Sequence, residues 1–138
     1  MNPKIISGSS FKDGRGELNF NNLFKATEIK RIYTIQNVNT SFIRRWQGHK
    51  IEQRWFTVVT GSFRIELIRI DDWELPSTNL KREVFEISDK QLDVLYIPSG
   101  FISSIQAMEE NSKLLVMSDY FLNEIEDNYK YDSNYFKD

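Results

Sequence analysis

The chain has 138 residues, and 18 lysines and arginines against 20 aspartates and glutamates give a net charge of −2. This length predicts a single domain over residues 1–138 with one substantial core. The two charge signs are interspersed, so neither a basic stripe for nucleic acid nor a polybasic patch for membranes is expected. The absence of cysteine excludes disulfides, thiolate metal sites and a cysteine nucleophile.

The N-terminal part of the chain predicts short strands and turns. Gly14 and Gly16 supply a turn with Phe11 and Leu18 on either side of it. Residues 29–36 predict a strand in which every second residue, including Arg31, Tyr33 and Ile35, lies on one face. Residues 41–46 predict another extended segment.

The clearest predicted element is a β-hairpin with arms at residues 55–59 and 63–70. Phe63, Ile65 and Leu67 alternate with polar residues in the second arm, and Gly61 supplies the turn between the arms. Residues 71–81 are mostly polar and predict a surface loop. Further strands are predicted over residues 82–87, 92–97, 101–108 and 113–117.

The C-terminal segment is acidic and rich in tyrosine. Leu122, Ile125 and Tyr129 fall at helical spacing, which predicts a short C-terminal helix. Many short strands and ten phenylalanines otherwise favour an all-β sandwich or closed barrel. No apolar run has the length of a signal peptide core or a membrane span, which predicts a cytoplasmic protein without membrane partners.

The only histidine, His49, lies two residues after Gln47 and just before the predicted hairpin. If both face inward, strand alternation also brings Arg54 inward after an intervening turn. An arginine that faces an apolar interior needs an anionic or strongly polar partner. A pocket with arginine, tyrosine, histidine and glutamine among aromatic residues suits a sugar that carries phosphate.

The spacing of these residues resembles that of the cupin barrels. Cupins carry an early His-x-His pair, then a carboxylate, and a later Pro-x-Gly-x-x-His. Here Gln47 and His49 occupy the pair, Arg54 stands near the carboxylate position, and Ser103 replaces the last histidine. Because one imidazole, an amide, a hydroxyl and a guanidinium bind a divalent ion poorly, we expect no metal and no cofactor. The resemblance implies an all-β cupin-type barrel (a double-stranded β-helix, or jelly roll).

Over most of its length the chain resembles the thymidine-diphosphate-sugar 3,4-ketoisomerases, which are related in fold to dTDP-4-dehydrorhamnose 3,5-epimerase. The segments that carry the resemblance are residues 13–18, 30–33, 44–50, 61–62, 95–97 and 118–120. Of the family signature Arg-Gly-x-His-x-His-Lys, Arg44, His49 and Lys50 match, whereas Arg45 and Gln47 differ. The family's later Trp-His is Ile102-Ser103 in this chain.

The resemblance implies an isomerase of a nucleotide-linked 4-keto-6-deoxyhexose, with thymidine diphosphate as the nucleotide, in the synthesis of surface-polysaccharide sugars. His49 is the expected base, Arg44 or Arg54 the group that stabilises an enediolate, and Tyr33 a proton donor or orienter. The expected substrate-binding residues are Arg31, Gln47, Lys50, Arg54 and Ser103.

Two other interpretations remain open. Epimerisation beside the ketone uses the same enolisation, and a non-catalytic sugar- or nucleotide-binding cupin is the alternative from another functional class. The resemblance also implies a homodimer in which the N-terminal strands pair with a second subunit.

Overall fold

Twelve β-strands and no α-helix form the regular structure of the computed structural model, which describes residues 1–138. In chain order the strands are β1 (Lys4–Ile6), β2 (Ser9–Asp13), β3 (Gly16–Phe20), β4 (Arg31–Ile35), β5 (Ile43–His49), β6 (Arg54–Thr60), β7 (Ser62–Arg69), β8 (Arg82–Ser88), β9 (Val94–Ile97), β10 (Phe101–Ala107), β11 (Lys113–Ser118) and β12 (Tyr129–Lys130). No helix long and apolar enough to cross a bilayer is found.

The strands form two five-stranded antiparallel sheets and one separate hairpin. The first sheet has the order β1-β9-β6-β11-β4, and the second has the order β12-β5-β10-β7-β8. The separate hairpin joins β2 to β3, with Phe11 opposite Leu18 and Asp13 opposite Gly16. The turn of this hairpin is the one predicted from Gly14 and Gly16.

The core is built from alternate residues of the strands, because successive side chains in a strand point to opposite faces. Phe63, Ile65 and Leu67 of β7 are fully buried, as the alternation predicted, and they belong to a cluster of 13 buried residues. Phe56 and Val58 of β6 contribute to this cluster from the other sheet. The core therefore lies between the two sheets.

The predicted hairpin over residues 55–70 is wrong in its pairing, although both arms are strands. β6 pairs with β9 and β11 in the first sheet, whereas β7 pairs with β8 and β10 in the second. Gly61 alone separates the two strands, and its φ of 85° turns the chain from one sheet to the other. Alternation identified the inward residues correctly but carried no information about the neighbouring strands.

The predicted C-terminal helix is also wrong. Leu122 is exposed, Asn123 has a positive φ of 62°, and Tyr129 belongs to the short strand β12, which pairs with β5. Three apolar residues at helical spacing did not outweigh the aspartates and asparagines around them, which favour turns over helix.

Residues 127–138, here called the C-terminal strap, add β12 to the edge of the second sheet and then pack on its outer face. Phe136 is only 4% exposed and lies in a cluster with Trp46, Ile68, Ile70 and Ile102. Two tyrosine hydroxyls anchor the strap to the loop after β7, because Tyr131 donates to the carbonyl of Trp73 (2.6 Å) and Tyr135 donates to that of Pro76 (2.5 Å). The strap is thus tied to the sheet by both apolar and polar contacts.

We predict that Phe136→Ala lowers the free energy of unfolding by about 3 kcal/mol, because it empties a buried aromatic site. Phe121→Ala is the matched control, since Phe121 is 60% exposed, and it should change stability by less than about 0.5 kcal/mol. Urea denaturation measures both values. Equal stabilities for the two variants would show that the strap is not anchored through Phe136.

Candidate active site

A cavity opens between the two sheets and encloses about 70 Å³. Its walls come from β4, β5, β6, β9 and β10. The polar residues around it are Tyr33, Arg44, Gln47, His49, Arg54 and Ser103, and the apolar ones are Ile35, Phe56, Ile97, Phe101 and Ile105. Six of the eight residues predicted to form the site from sequence therefore meet in one place.

His49 is the last residue of β5, and its imidazole is largely buried beside this cavity. Its Nδ1 lies 2.7 Å from the main-chain carbonyl oxygen of Asp127 and 3.2 Å from Oε2 of Glu52. A carbonyl oxygen only accepts hydrogen bonds, so Nδ1 carries the hydrogen in the neutral ring. The lone pair of Nε2 is then available to take a proton, as a general base requires.

Glu52 connects His49 to Arg54. Its Oε1 accepts hydrogen bonds from the Arg54 guanidinium (3.2 Å) and from the hydroxyl of Ser118 (2.6 Å). Glu52 and Arg54 are both largely buried, so the pair supplies the anionic partner that an inward arginine needs. Sequence reasoning did not identify Glu52, although a carboxylate three residues after an inward histidine was a usable signal.

Arg54 also contacts Tyr33. Its Nη1 donates a hydrogen bond of 2.6 Å to the tyrosine hydroxyl, which leaves the tyrosine proton free for another acceptor. The Arg31 guanidinium lies 4.5 Å from the Tyr33 ring centroid. The Nε hydrogen of Arg54 is buried and has no partner in the protein, and a buried donor of this kind gains from a ligand oxygen.

Asp127 is the second residue that sequence reasoning missed. Its carboxylate accepts hydrogen bonds from the backbone amides of Lys50, Ile51 and Glu52, at 2.7 to 3.0 Å. These amides form the turn between His49 and β6. No local pattern links this aspartate to a turn so distant in the sequence, and the C-terminal segment was predicted to contain a short helix.

Of the other predicted site residues, Gln47, Ser103 and Arg44 line the cavity, whereas Arg31 and Lys50 do not. Gln47 donates to Asn128 Oδ1 (2.6 Å), and the Ser103 hydroxyl lies 3.4 Å from the Gln47 carbonyl. Arg44 is exposed at the cavity and donates to Asn37 Oδ1 (3.3 Å). Arg31 and Lys50 do not line the cavity, and the Lys50 side chain is exposed.

A divalent ion does not fit this set of donors. His49, Glu52 and Asp127 place one ligand atom each within 4.8 Å of one another, which is close enough for a metal site. However, both carboxylate oxygens of Asp127 already accept amide hydrogens, and the Arg54 guanidinium holds Glu52. A cation at this point would compete with Arg54 for the only remaining carboxylate.

Burial lowers the pKa of His49 below its usual value of 6.5, and the positive charge of Arg54 lowers it further. Glu52 and Asp127 oppose this shift but do not reverse it. The imidazole is therefore neutral near pH 7, which is the state that a base must have.

This shift predicts a pH dependence of stability. In the unfolded chain the histidine binds its proton near pH 6.5, whereas in the folded chain it does so at lower pH. The unfolded state therefore binds more protons as the pH falls below about 6.5, and the free energy of unfolding falls with it. His49 is the only histidine, so His49→Asn should flatten this dependence between pH 7.5 and 5.5 in urea denaturation. An unchanged slope in that variant would contradict the shift.

Comparison with solved structures shows the same fold in several sugar-nucleotide enzymes. A 3,4-ketoisomerase from Helicobacter canadensis is 25% identical, with 90% of this chain and 87% of that chain covered and a TM-score of 0.67. A mutant of the 3,4-ketoisomerase QdtA from Thermoanaerobacterium thermosaccharolyticum, in complex with TDP-4-keto-6-deoxyglucose, is 24% identical (92% and 86% covered, TM-score 0.69). The rmlC epimerase of Mycobacterium tuberculosis is 14% identical (93% and 68% covered, TM-score 0.75).

These similarities confirm the predicted all-β cupin-type fold, apart from the C-terminal helix. No curated protein matches the sequence. A family model does match it, under the description "FdtA: WxcM-like, C-terminal", and the match runs over residues 1–138. Since the match spans the whole sequence, the chain belongs to this FdtA, WxcM-like family.

Proposed function

We propose that this protein is an isomerase that moves the ketone of a nucleotide-linked 4-keto-6-deoxyhexose between C4 and C3, with thymidine diphosphate as the nucleotide. The observation that carries the proposal is the free Nε2 of His49 beside the buried Arg54 in one cavity. Membership of the FdtA, WxcM-like family and the fold shared with 3,4-ketoisomerases support it.

The first step is removal of the proton on C3, which the neighbouring ketone acidifies. His49 Nε2 takes this proton, and the electrons of the C3–H bond form a C3=C4 double bond as the C4 oxygen becomes negatively charged. Arg54 is the group best placed to stabilise the resulting enediolate, because it is buried near the base and keeps an unpaired Nε hydrogen.

The second step returns the proton to carbon. Protonation of C4 and loss of the C3 hydroxyl proton leave the ketone at C3 and a hydroxyl at C4, so the reaction needs no oxidant or reductant. Tyr33 suits transfer between the oxygens, because its hydroxyl accepts a hydrogen bond from Arg54 and can donate its own proton. His49, protonated in the first step, is the donor to C4.

The nucleotide must lie outside the enclosed cavity. A volume of about 70 Å³ is small beside the roughly 300–1,000 Å³ of pockets that enclose a whole ligand, so it accommodates the reacting end of a sugar. Arg44 is exposed at the cavity and can bind a diphosphate oxygen there. This placement favours Arg44 for phosphate binding and Arg54 for the enediolate.

A non-catalytic sugar- or nucleotide-binding protein is the second candidate. Gln47 and Ser103 line the cavity at positions where the resemblance expects histidines, so fewer groups in it can transfer protons. Epimerisation at the carbon beside the ketone shares the first step. NMR of the sugar product separates it from isomerisation.

We predict that His49→Asn abolishes exchange of the C3 proton with deuterium from the solvent, because the amide cannot act as the base. Proton NMR of the 4-keto sugar nucleotide in deuterium oxide measures the exchange. Lys90→Gln changes an exposed turn residue remote from the cavity and should exchange at the wild-type rate.

Calorimetry with thymidine diphosphate completes this test. Binding should be retained in His49→Asn, because the nucleotide lies outside the cavity. Full exchange in the variant would exclude His49 as the base. Nucleotide binding by the wild-type protein without exchange on any 4-keto sugar would support the non-catalytic alternative.

We further propose that the protein is a homodimer that covers the β2–β3 hairpin. This hairpin forms its own two-stranded sheet, and an isolated hairpin is marginally stable in water. Phe11 is 54% exposed and Leu18 is 60% exposed, opposite each other across the hairpin. A second copy of the chain that pairs with these strands buries both side chains.

The double variant Phe11→Ser/Leu18→Ser should therefore shift the protein from dimer to monomer in sedimentation velocity. Leu75→Ser is the matched control, because Leu75 is 75% exposed in the loop after β7 and should leave the dimer intact. A wild-type protein that sediments as a monomer at all concentrations would contradict the proposal.

A further inference from the structure

The chain holds its only histidine through a residue that lies far from it in the sequence. Asp127 is 3% exposed and lies 78 residues after His49. It belongs to the C-terminal strap, which packs on the outer face of the second sheet. Both its main chain and its side chain reach the site described above.

The main chain of Asp127 fixes the proton on the imidazole. Its carbonyl oxygen accepts the Nδ1 hydrogen of His49 at 2.7 Å, so the ring has a definite tautomer and orientation. Glu52 Oε2, at 3.2 Å from the same nitrogen, favours the same tautomer. The opposite nitrogen, Nε2, is the one that remains available at the cavity.

The carboxylate of Asp127 fixes the turn that follows His49. Oδ1 accepts from the amides of Lys50 (2.9 Å) and Ile51 (3.0 Å), and Oδ2 accepts from those of Ile51 (2.9 Å) and Glu52 (2.7 Å). This turn carries Glu52 and leads directly into Arg54. One aspartate therefore positions the backbone of the base, its neighbouring carboxylate and the start of β6.

The strap itself is anchored at its far end. Arg82 donates hydrogen bonds to the carbonyls of Phe136 (3.0 Å) and Lys137 (3.2 Å), and Phe136 is buried against the second sheet. Between Asp127 and Phe136, strand β12 pairs with β5, so that Tyr129 lies opposite Gly48 and Lys130 lies opposite Gln47. The segment that follows Asp127 is thus anchored to the second sheet by strand pairing, hydrogen bonds and apolar packing.

We infer that Asp127 is a positioning residue for His49, whose carbonyl selects the Nδ1–H tautomer and whose carboxylate holds the turn that presents Glu52 and Arg54. The inference rests on the proposed role of His49 as the base. It adds to that role the reason why Nε2, and not Nδ1, faces the reacting carbon.

The tautomer can be measured in the wild-type protein without any variant. Because there is one histidine, ¹⁵N-histidine labelling gives a single imidazole in long-range ¹H–¹⁵N spectra. At pH 8 we expect a protonated Nδ1 and an unprotonated Nε2. A protonated Nε2 in the wild-type protein would overturn the inference.

The variant Asp127→Asn tests the carboxylate, because an amide of the same size offers one acceptor oxygen to three backbone amides. We expect a mixture of tautomers and a 10- to 100-fold slower exchange of the C3 proton, the order of loss that a displacement of about 1 Å causes. Binding of thymidine diphosphate should keep its wild-type affinity.

Asp89→Asn is the matched control. The Asp89 carboxylate also accepts a backbone amide, that of Gly61 at 2.8 Å, but Asp89 is exposed and does not line the cavity. This variant should keep the wild-type tautomer and exchange rate. The inference is overturned if Asp127→Asn keeps both as well, or if the two variants behave alike.

The outcomes separate this inference from the proposed function. A wild-type protein with the Nδ1–H tautomer that is lost in Asp127→Asn, but with no exchange of the C3 proton, would support the positioning role and refute the isomerase. If Asp127→Asn does not fold, the tautomer of Glu52→Gln decides: the Asp127 carbonyl should still hold the Nδ1–H form there, and its loss would assign the tautomer to Glu52 and overturn the inference.

Discussion

The buried ion pair between Glu52 and Arg54 is the interaction on which the candidate site depends. Moving two charges out of water costs several kcal/mol each, and good geometry with further hydrogen bonds is needed to offset that cost. The protein supplies these bonds through Ser118 on the carboxylate and Tyr33 on the guanidinium. Because each charge is held by more than one partner, the pair fixes a buried guanidinium near His49, where an enediolate gains more from it than in water.

Burial is the main cause of the lowered pKa of the base, and the two members of this pair act on that pKa in opposite directions. Burial and Arg54 lower the pKa of His49, whereas Glu52 acts in the opposite direction and moderates the shift. A metal-binding cupin uses its histidines and carboxylate to hold a cation; here the guanidinium of Arg54 provides the positive charge instead. Gln47 and Ser103 stand where the cupin motif has metal-binding histidines, as expected if the Arg54 guanidinium takes the place of the metal ion.

Much of this arrangement was predictable, and the failures have identifiable physical causes. Alternation placed Tyr33, His49 and Arg54 on inward faces because a period of two is a local property of a strand. It did not reveal that β6 and β7 lie in different sheets, since neighbours are chosen by contacts remote in sequence. Asp127 was missed for the same reason, because its hydrogen-bond partners are distant backbone amides, and almost every residue type carries such an amide. Arg31 was placed by alternation with Tyr33 and Lys50 by resemblance, and neither lines the cavity.

The position of Asp127 after all the cavity strands in the sequence has a consequence for biosynthesis. The ribosome extends the polypeptide from its N-terminus, whereas a domain generally folds as a unit. Every strand that carries a cavity residue is translated before the strap that orients the imidazole. A nascent polypeptide that has emerged only as far as β11 therefore has every residue of the cavity but lacks the Asp127 contacts to His49 and to the turn after it. A polypeptide that stops before residue 127 would keep the cavity residues and leave the His49 imidazole without its carbonyl partner.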